Sequence, residues 1–240
     1  MLGRFLELSI ATPDIQASLR FYGTLGFSET EVGEAWSHPY AVVTDGRICL
    51  GLHQAAEFTT SLTFVKPDLF RHLDALEGLG VAFEFRHLGN DVFNEVGWLD
   101  PSGNLIRVVE ARTFSPSKRK SLDISSCGYF LEVGLPAANF EPAKEYWERL
   151  GFVGMDEPDA PLPHVTCTSD TIDIGLYEPA HVRQPTLLFE VDDVAAAVAR
   201  LDILGVKASG RLPGPLRRTS AATFNAPEGT PTLISAASHA

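Results

Sequence analysis

Glu7-Leu-Ser-Ile-Ala-Thr-Pro-Asp-Ile-Gln-Ala-Ser-Leu-Arg-Phe-Tyr22, closed by Leu25-Gly26-Phe27, returns as Glu132-Val-Gly-Leu-Pro-Ala-Ala-Asn-Phe-Glu-Pro-Ala-Lys-Glu-Tyr-Trp147, closed by Leu150-Gly151-Phe152, at an offset of 125 (132 − 7 and 151 − 26). Further on, Ile48-Cys49-Leu50-Gly51-Leu52 is answered by Ile172-Asp173-Ile174-Gly175-Leu176, and Leu79-Gly80-Val81 by Leu204-Gly205-Val206. A fixed long period means one supersecondary plan used twice, so each polar residue can be judged against its own twin.

Each copy opens on an alternating stretch. Leu6, Leu8 and Ile10 fall on one face of a strand and Glu7, Ser9 and Ala11 on the other, and Leu131, Val133 and Leu135 oppose Glu132, Gly134 and Pro136 in the same way. Asp14 and Asn139 are N-cap residues before apolar positions of helical period, and Gly26 and Gly151 stop those helices. Strand-like runs around 40–44 and 48–52 follow, split by the hairpin signal Asp45-Gly46. The plan then recurs inside each copy: a strand at 61–65, a helix carrying Leu69, Leu73 and Leu76, and strand pieces at 81–85, 96–99 and 105–110, the last two joined by the turn Asp100-Pro101-Ser102-Gly103. Four successive strand-helix-strand-strand-strand units predict an α+β fold, with each pair of units curling one mixed sheet around a cup and the helices outside.

The chain has 240 residues, enough for two domains with a core each. The repeat sets them at 1–113 and 127–240, and the Ser-rich, charged interval 114–126 reads as the linker, with Lys118 to Lys120 as its protease-sensitive point. A formal charge of −12 argues against nucleic-acid and anionic-membrane partners. No apolar run is long enough to span a bilayer, and no basic start followed by an apolar stretch marks a signal peptide, so the expected location is cytoplasmic. Three cysteines, Cys49, Cys127 and Cys167, odd in number and with no close spacing for a metal knuckle or redox motif, fit a reducing compartment. The expected assembly is a monomer with two pseudo-equivalent domains or a homodimer.

The strand before a capped helix with Phe21-Tyr22 and Leu25-Gly26-Phe27, followed later by Asp100-Pro101-Ser102-Gly103-Asn104-Leu105-Ile106, resembles the vicinal oxygen chelate superfamily of glyoxalase I, extradiol dioxygenases, and fosfomycin- and bleomycin-resistance proteins. The resemblance covers residues 3–111 and 128–236. It implies a cup in which metal-using members hold a divalent ion through His, Glu or Gln from the first and last strands of a unit, where the ion polarises a chelated substrate or activates oxygen.

Carried over position by position, the ligand places hold Glu7, Gly51, Thr60 and Arg107 in the first copy and Glu132, Gly175, Pro185 and Leu233 in the second. A two-residue shift adds His53 and Tyr177. Gly, Pro and Leu offer no ligating side chain, and an Arg cation repels a metal. The expectation is therefore a protein that binds a small organic molecule in its cup without the family's metal. A metal-dependent lyase or extradiol-type dioxygenase using Fe, Mn, Ni or Zn is the alternative, and a scaffold without ligand the third reading. Whether the chain is an enzyme is left open. Glu7 and Arg107 are the candidate catalytic pair, facing each other as an ion pair or as the polar floor of a pocket, and His53, Tyr40, Trp98, Glu132, His164 and Tyr177 are the candidate ligand-binding residues.

Overall fold

The structure is a computed structural model, and it describes residues 2–237 except 31–35, 91–92, 112–124, 210–211, 213, 215 and 218–219. Most of the expected linker, with Lys118 to Lys120, lies outside the described residues.

The first half begins with β1 (Arg4–Ala11), α1 (Ile15–Thr24), β2 (Ser28–Thr30), β3 (Tyr40–Thr44) and β4 (Cys49–His53). It continues through β5 (Ser61–Val65), a 3₁₀ turn at Leu69–His72 running into α2 (Leu73–Gly78), β6 (Phe83–His87), β7 (Glu95–Leu99) and β8 (Leu105–Val109). The second half repeats this order with β9 (Tyr129–Pro136), α3 (Phe140–Arg149), β10 (Val153–Glu157), β11 (His164–Thr168) and β12 (Asp173–Tyr177), then β13 (Thr186–Val191), α4 (Val194–Ile203), β14 (Ala221–Asn225) and β15 (Pro231–Ala236). The expected α+β plan holds, with one difference: the described residues of the fourth unit carry two strands after the helix, so the sheets have eight and seven strands.

The first sheet runs β2-β3-β4-β1-β5-β8-β7-β6 and the second β10-β11-β12-β9-β13-β15-β14. In each, the opening strands of two units meet antiparallel at the centre, β1 on β5 and β9 on β13, and each is flanked by the parallel last strand of its own unit. This register makes the cup. It sets Glu7 beside Thr63 and Thr63 beside Arg107, and in the second sheet Glu132 beside Leu188 and Leu188 beside Leu233. Thr63 and Leu188, not Thr60 and Pro185, are therefore the central residues of β5 and β13. The strands themselves fall where the sequence set them; only the ligand places, carried over to Thr60 and Pro185, fell three residues early, because matching by position does not fix the register between strands.

Alternation sorts the faces. Leu8, Ile10, Leu50, Leu52, Leu62, Phe64, Ile106 and Val108 are buried in one apolar core that also takes in Val133, Trp147, Ile174 and Phe189 of the second half. The polar residues of the same strands face the cup. Asp14 caps α1 through its side chain to the Ala17 amide, whereas Asn139 before α3 makes no side-chain cap, so the twin helices start on different local chemistry. No helix among the described residues is long and apolar enough to cross a membrane.

Candidate functional site

In the first cup β1 presents Glu7 and Ser9, β3 Tyr40, β4 Gly51 and His53, β5 Thr63, β7 Glu95, and β8 Arg107. Glu7 is 1% exposed and its carboxylate is fully engaged. Ser9 Oγ donates to Oε1 at 2.7 Å, the Tyr40 hydroxyl donates to Oε2 at 2.5 Å, and His53 Nε2 lies 3.1 Å from Oε1. Since Ser9 gives its proton to Glu7, Thr63 Oγ1, 2.7 Å from Ser9 Oγ, is the donor in that second bond. Space for the carboxylate comes from Gly51, where a Cβ would lie 2.0 Å from Glu7 Oε1.

His53 continues outward, its Nδ1 2.9 Å from His38 Nε2. Burial, with His53 and Arg107 nearby, holds the His38 imidazole below its ordinary pKa. Phe58 lies flat on His53, ring centroids 3.9 Å apart and 7° from parallel, and Trp36 stands edge-on to it at 4.9 Å. Phe58 thus roofs the His53 imidazole. Above that roof opens a cavity of about 850 Å³, lined by Trp36, His38, Phe58, Phe85 and Arg107 and, from the second half, by Arg183.

Arg107 does not meet Glu7 across the cup. Its Nη1 donates to Glu95 Oε2, and Glu95 Oε1 takes His87 Nδ1 at 2.8 Å. The expected Glu7–Arg107 ion pair is corrected here. A nearer carboxylate on the adjacent strand β7 neutralises the cation, which leaves Glu7 to the His53, Tyr40 and Ser9 bonds. The guanidinium is packed among ring faces, 4.8 Å from the centroid of Phe58, 4.9 Å from Phe85 and 5.6 Å from Trp36. Its Nε is buried and has no hydrogen-bond partner among the described residues.

Trp98 is corrected as well. It is fully buried on the opposite face of β7, donating Nε1–H to the Tyr146 hydroxyl at 2.5 Å where the two halves meet. Alternation from Glu95 would have placed it there, since Glu95 and Gly97 share the cup face and Val96 and Trp98 the core face. The same alternation would have found Glu95, which the sequence reading missed. Phe58 and His38 gave no periodic signal, because both sit in loops.

The second cup keeps the group in altered form. The Tyr177 hydroxyl donates to Glu132 Oε1 at 2.5 Å, Thr166 Oγ1 donates to Oε2 at 3.4 Å, and His164 stacks on Tyr177 with its Nε2 3.8 Å from the carboxylate. Tyr and His have exchanged strands: Tyr40 on β3 pairs with His53 on β4, and His164 on β11 pairs with Tyr177 on β12. Opposite Glu132 the cup is filled by Leu188, Leu233, Leu162 and Val182 packed with Tyr177. Burial pushes Glu132 up to about 7, against the pull of the Tyr177 and Thr166 bonds.

No family model and no curated protein matches the chain. Solved structures do. A catechol 2,3-dioxygenase shares 14% identity at a TM-score of 0.62, over 99% of this chain and 88% of that one. The 2,3-dioxygenase LapB of Pseudomonas sp. KL28 shares 16% at 0.64, over 98% and 92%. An extradiol ring-cleaving dioxygenase of B. fuscum shares 15% at 0.65, over 99% and 72%. The fold is that of the vicinal oxygen chelate superfamily.

The expectation of cups without a metal is thereby corrected: the matching structures are 2,3-dioxygenases, the kind named in the metal-dependent alternative. The first cup meets that chemistry with two donors. Glu7 Oε1 and His53 Nε2 are 3.1 Å apart, the spacing of two atoms that share an ion at bond lengths of about 2.1 Å. Gly51 leaves the carboxylate its place. Among the described residues no group of three His, Cys, Asp or Glu is arranged around an ion, so the remaining positions would fall to hydroxyls, solvent or substrate. In the second cup His164 Nε2 stands farther from the carboxylate, at 3.8 Å, and Leu188 and Leu233 offer no donor beside it.

Proposed function

We propose that the chain is an enzyme of the extradiol-dioxygenase kind, that its first cup is the working site, and that it acts on a small oxygen-bearing ring compound. The observation that carries the reading is the buried Glu7–His53 pair under an aromatic-lined cavity of about 850 Å³. Glu7 and His53 would hold the divalent ion, which when bound polarises a chelated substrate or activates oxygen.

The chain's own residues do the rest. Ser9 and Tyr40 fix both carboxylate oxygens of Glu7, so the group keeps one orientation. Trp36, Phe58 and Phe85 offer ring faces for a flat substrate and keep water out of the floor. Phe58 must swing aside for substrate to reach the imidazole it covers. Each half, 1–113 and 127–240, forms one domain of two units, and only the first carries the site. The formal charge of −12 supports a small molecule rather than a nucleic acid as partner.

Purified protein loaded with Fe(II) or Mn(II) and given catechol or a hydroxylated benzoate is expected to consume oxygen and to lose the ring absorbance. Glu7→Gln should abolish both, since a neutral amide is a poor ligand for a hard cation. Oxygen uptake unchanged in Glu7→Gln, or none with either metal, would sink the reading.

A further inference from the structure

The geometry points to Arg107 as a receptor for a carboxylate carried on a flat ring: a planar aryl carboxylate lies in the cage of Trp36, Phe58 and Phe85, with one carboxylate oxygen accepting from Arg107 Nε. This deepens, and rests on, the reading of the first cup as the working site.

The unmade bond is the reason. Arg107 is 7% exposed and lines the cavity wall, and its buried Nε–H has no partner among the described residues. A buried N–H is rarely left without an acceptor, and a guanidinium N–H is among the strongest donors a protein has. Glu95 occupies Nη1 and anchors the group from β7, and His87 in turn holds the other oxygen of Glu95. The Nε edge is left as the donor that an added acceptor meets once Phe58, packed 4.8 Å from the guanidinium, swings aside. Carboxylate is the acceptor favoured, because it matches both the charge and the in-plane geometry of the fork.

The rings define what the carboxylate is attached to. The guanidinium lies 4.8 to 5.6 Å from three ring centroids, so a ligand group in its plane runs between aromatic faces. Phe85 reaches its place because Gly97 on the neighbouring strand has no side chain; a Cβ there would lie 2.2 Å from the Phe85 ring. In the second copy Leu233 takes the place of Arg107 and packs against Leu188, so the receptor belongs to one cup alone.

Benzoate binding to the metal-free protein, followed by titration calorimetry with benzamide as the neutral isostere, tests the inference. Benzoate is expected to bind with one site per chain and about tenfold more tightly than benzamide, the difference between a charge-assisted and a neutral pair. Arg107→Lys should lose about tenfold for benzoate and little for benzamide, because Lys has no fork. Glu95→Gln keeps Arg107 and removes its competing carboxylate, so it should tighten benzoate severalfold. No benzoate binding, equal affinities for the two compounds, or unchanged benzoate affinity in both variants would overturn the assignment. Neither metal nor oxygen enters these measurements. A failure of ring cleavage would therefore leave the receptor standing, and a failure of benzoate binding would leave ring cleavage of uncharged substrates standing.

Discussion

Glu132 is 5% exposed, and its only close polar partners among the described residues are Tyr177, Thr166 and the stacked His164. Burial holds its folded pKa at about 7 against an ordinary 4.5. The folded state therefore keeps a proton that the unfolded state gives up. The stability linked to that proton is fully present below pH 4.5, is lost as pH rises through about 7, and changes no further above it. The full span is of order 3 kcal/mol. Glu132→Gln keeps the acceptor for Tyr177 and has no proton to lose, so urea melts at pH 5 and pH 8 should differ by about 2 to 3 kcal/mol less in the variant than in the parent. An identical difference in both proteins would place the titration elsewhere. The pair of glutamates was legible in the sequence as twins. Their unlike surroundings were not, because those depend on which residues the neighbouring strands bring opposite.

The opening strands depend on glycine at their entry. Gly3 and Gly128, twins at the same offset of 125 (128 − 3), have φ of +98° and +99°, and a Cβ would lie 2.1 Å from the Val65 carbonyl oxygen and 2.2 Å from that of Glu190. In both copies the next unit's first strand passes too close for any side chain. Gly46, in the hairpin between β3 and β4, has φ +88° but open space around it. Gly128→Ala should therefore cost more than about 3 kcal/mol, strain plus a backbone clash, and Gly46→Ala about 1 kcal/mol from strain alone. Thermal or urea unfolding of the two variants measures this, and equal losses would contradict the close approach at Gly128. The sequence marks Asp45-Gly46 as a turn on local grounds. Nothing local distinguishes Gly3 or Gly128, since what crowds them lies more than 60 residues away.

Across the whole molecule the halves are joined by side chains as well as by the chain. Glu228, in the turn between β14 and β15, accepts from the Ser18 hydroxyl and the Tyr22 hydroxyl of α1, both at 2.7 Å. Asn104 Nδ2 donates to the Pro136 carbonyl at 3.2 Å, and the apolar core runs on from one sheet to the other. Tyr22 is buried, so Glu228→Ala takes the carboxylate acceptor from its hydroxyl and leaves it only the Thr230 hydroxyl, and should lower stability by about 1 to 3 kcal/mol. Because the core is shared, that loss should shift one common transition, followed by tryptophan fluorescence and circular dichroism together. Two separated transitions would mean that the halves melt independently.

By itself the sequence determined the repeat, the four units, the order of strands and helices and the two glutamates facing inward, because period, caps and turn residues act over a few positions and survive in each copy. The cup's chemistry was decided by the tertiary structure. The sequence set Arg107 against Glu7, and only the register of β7 against β8 gave it to Glu95 and left its buried Nε without a partner among the described residues. Trp98 read as a pocket residue until the pleat turned it into the core. His53 gained its place beside Glu7, and Phe58 its place over the imidazole, through the parallel pairing of β1 with β4 and the path of one loop. Sequence patterns record which face a residue takes. Which partner it meets there depends on contacts between strands far apart in the chain, and no local pattern encodes them.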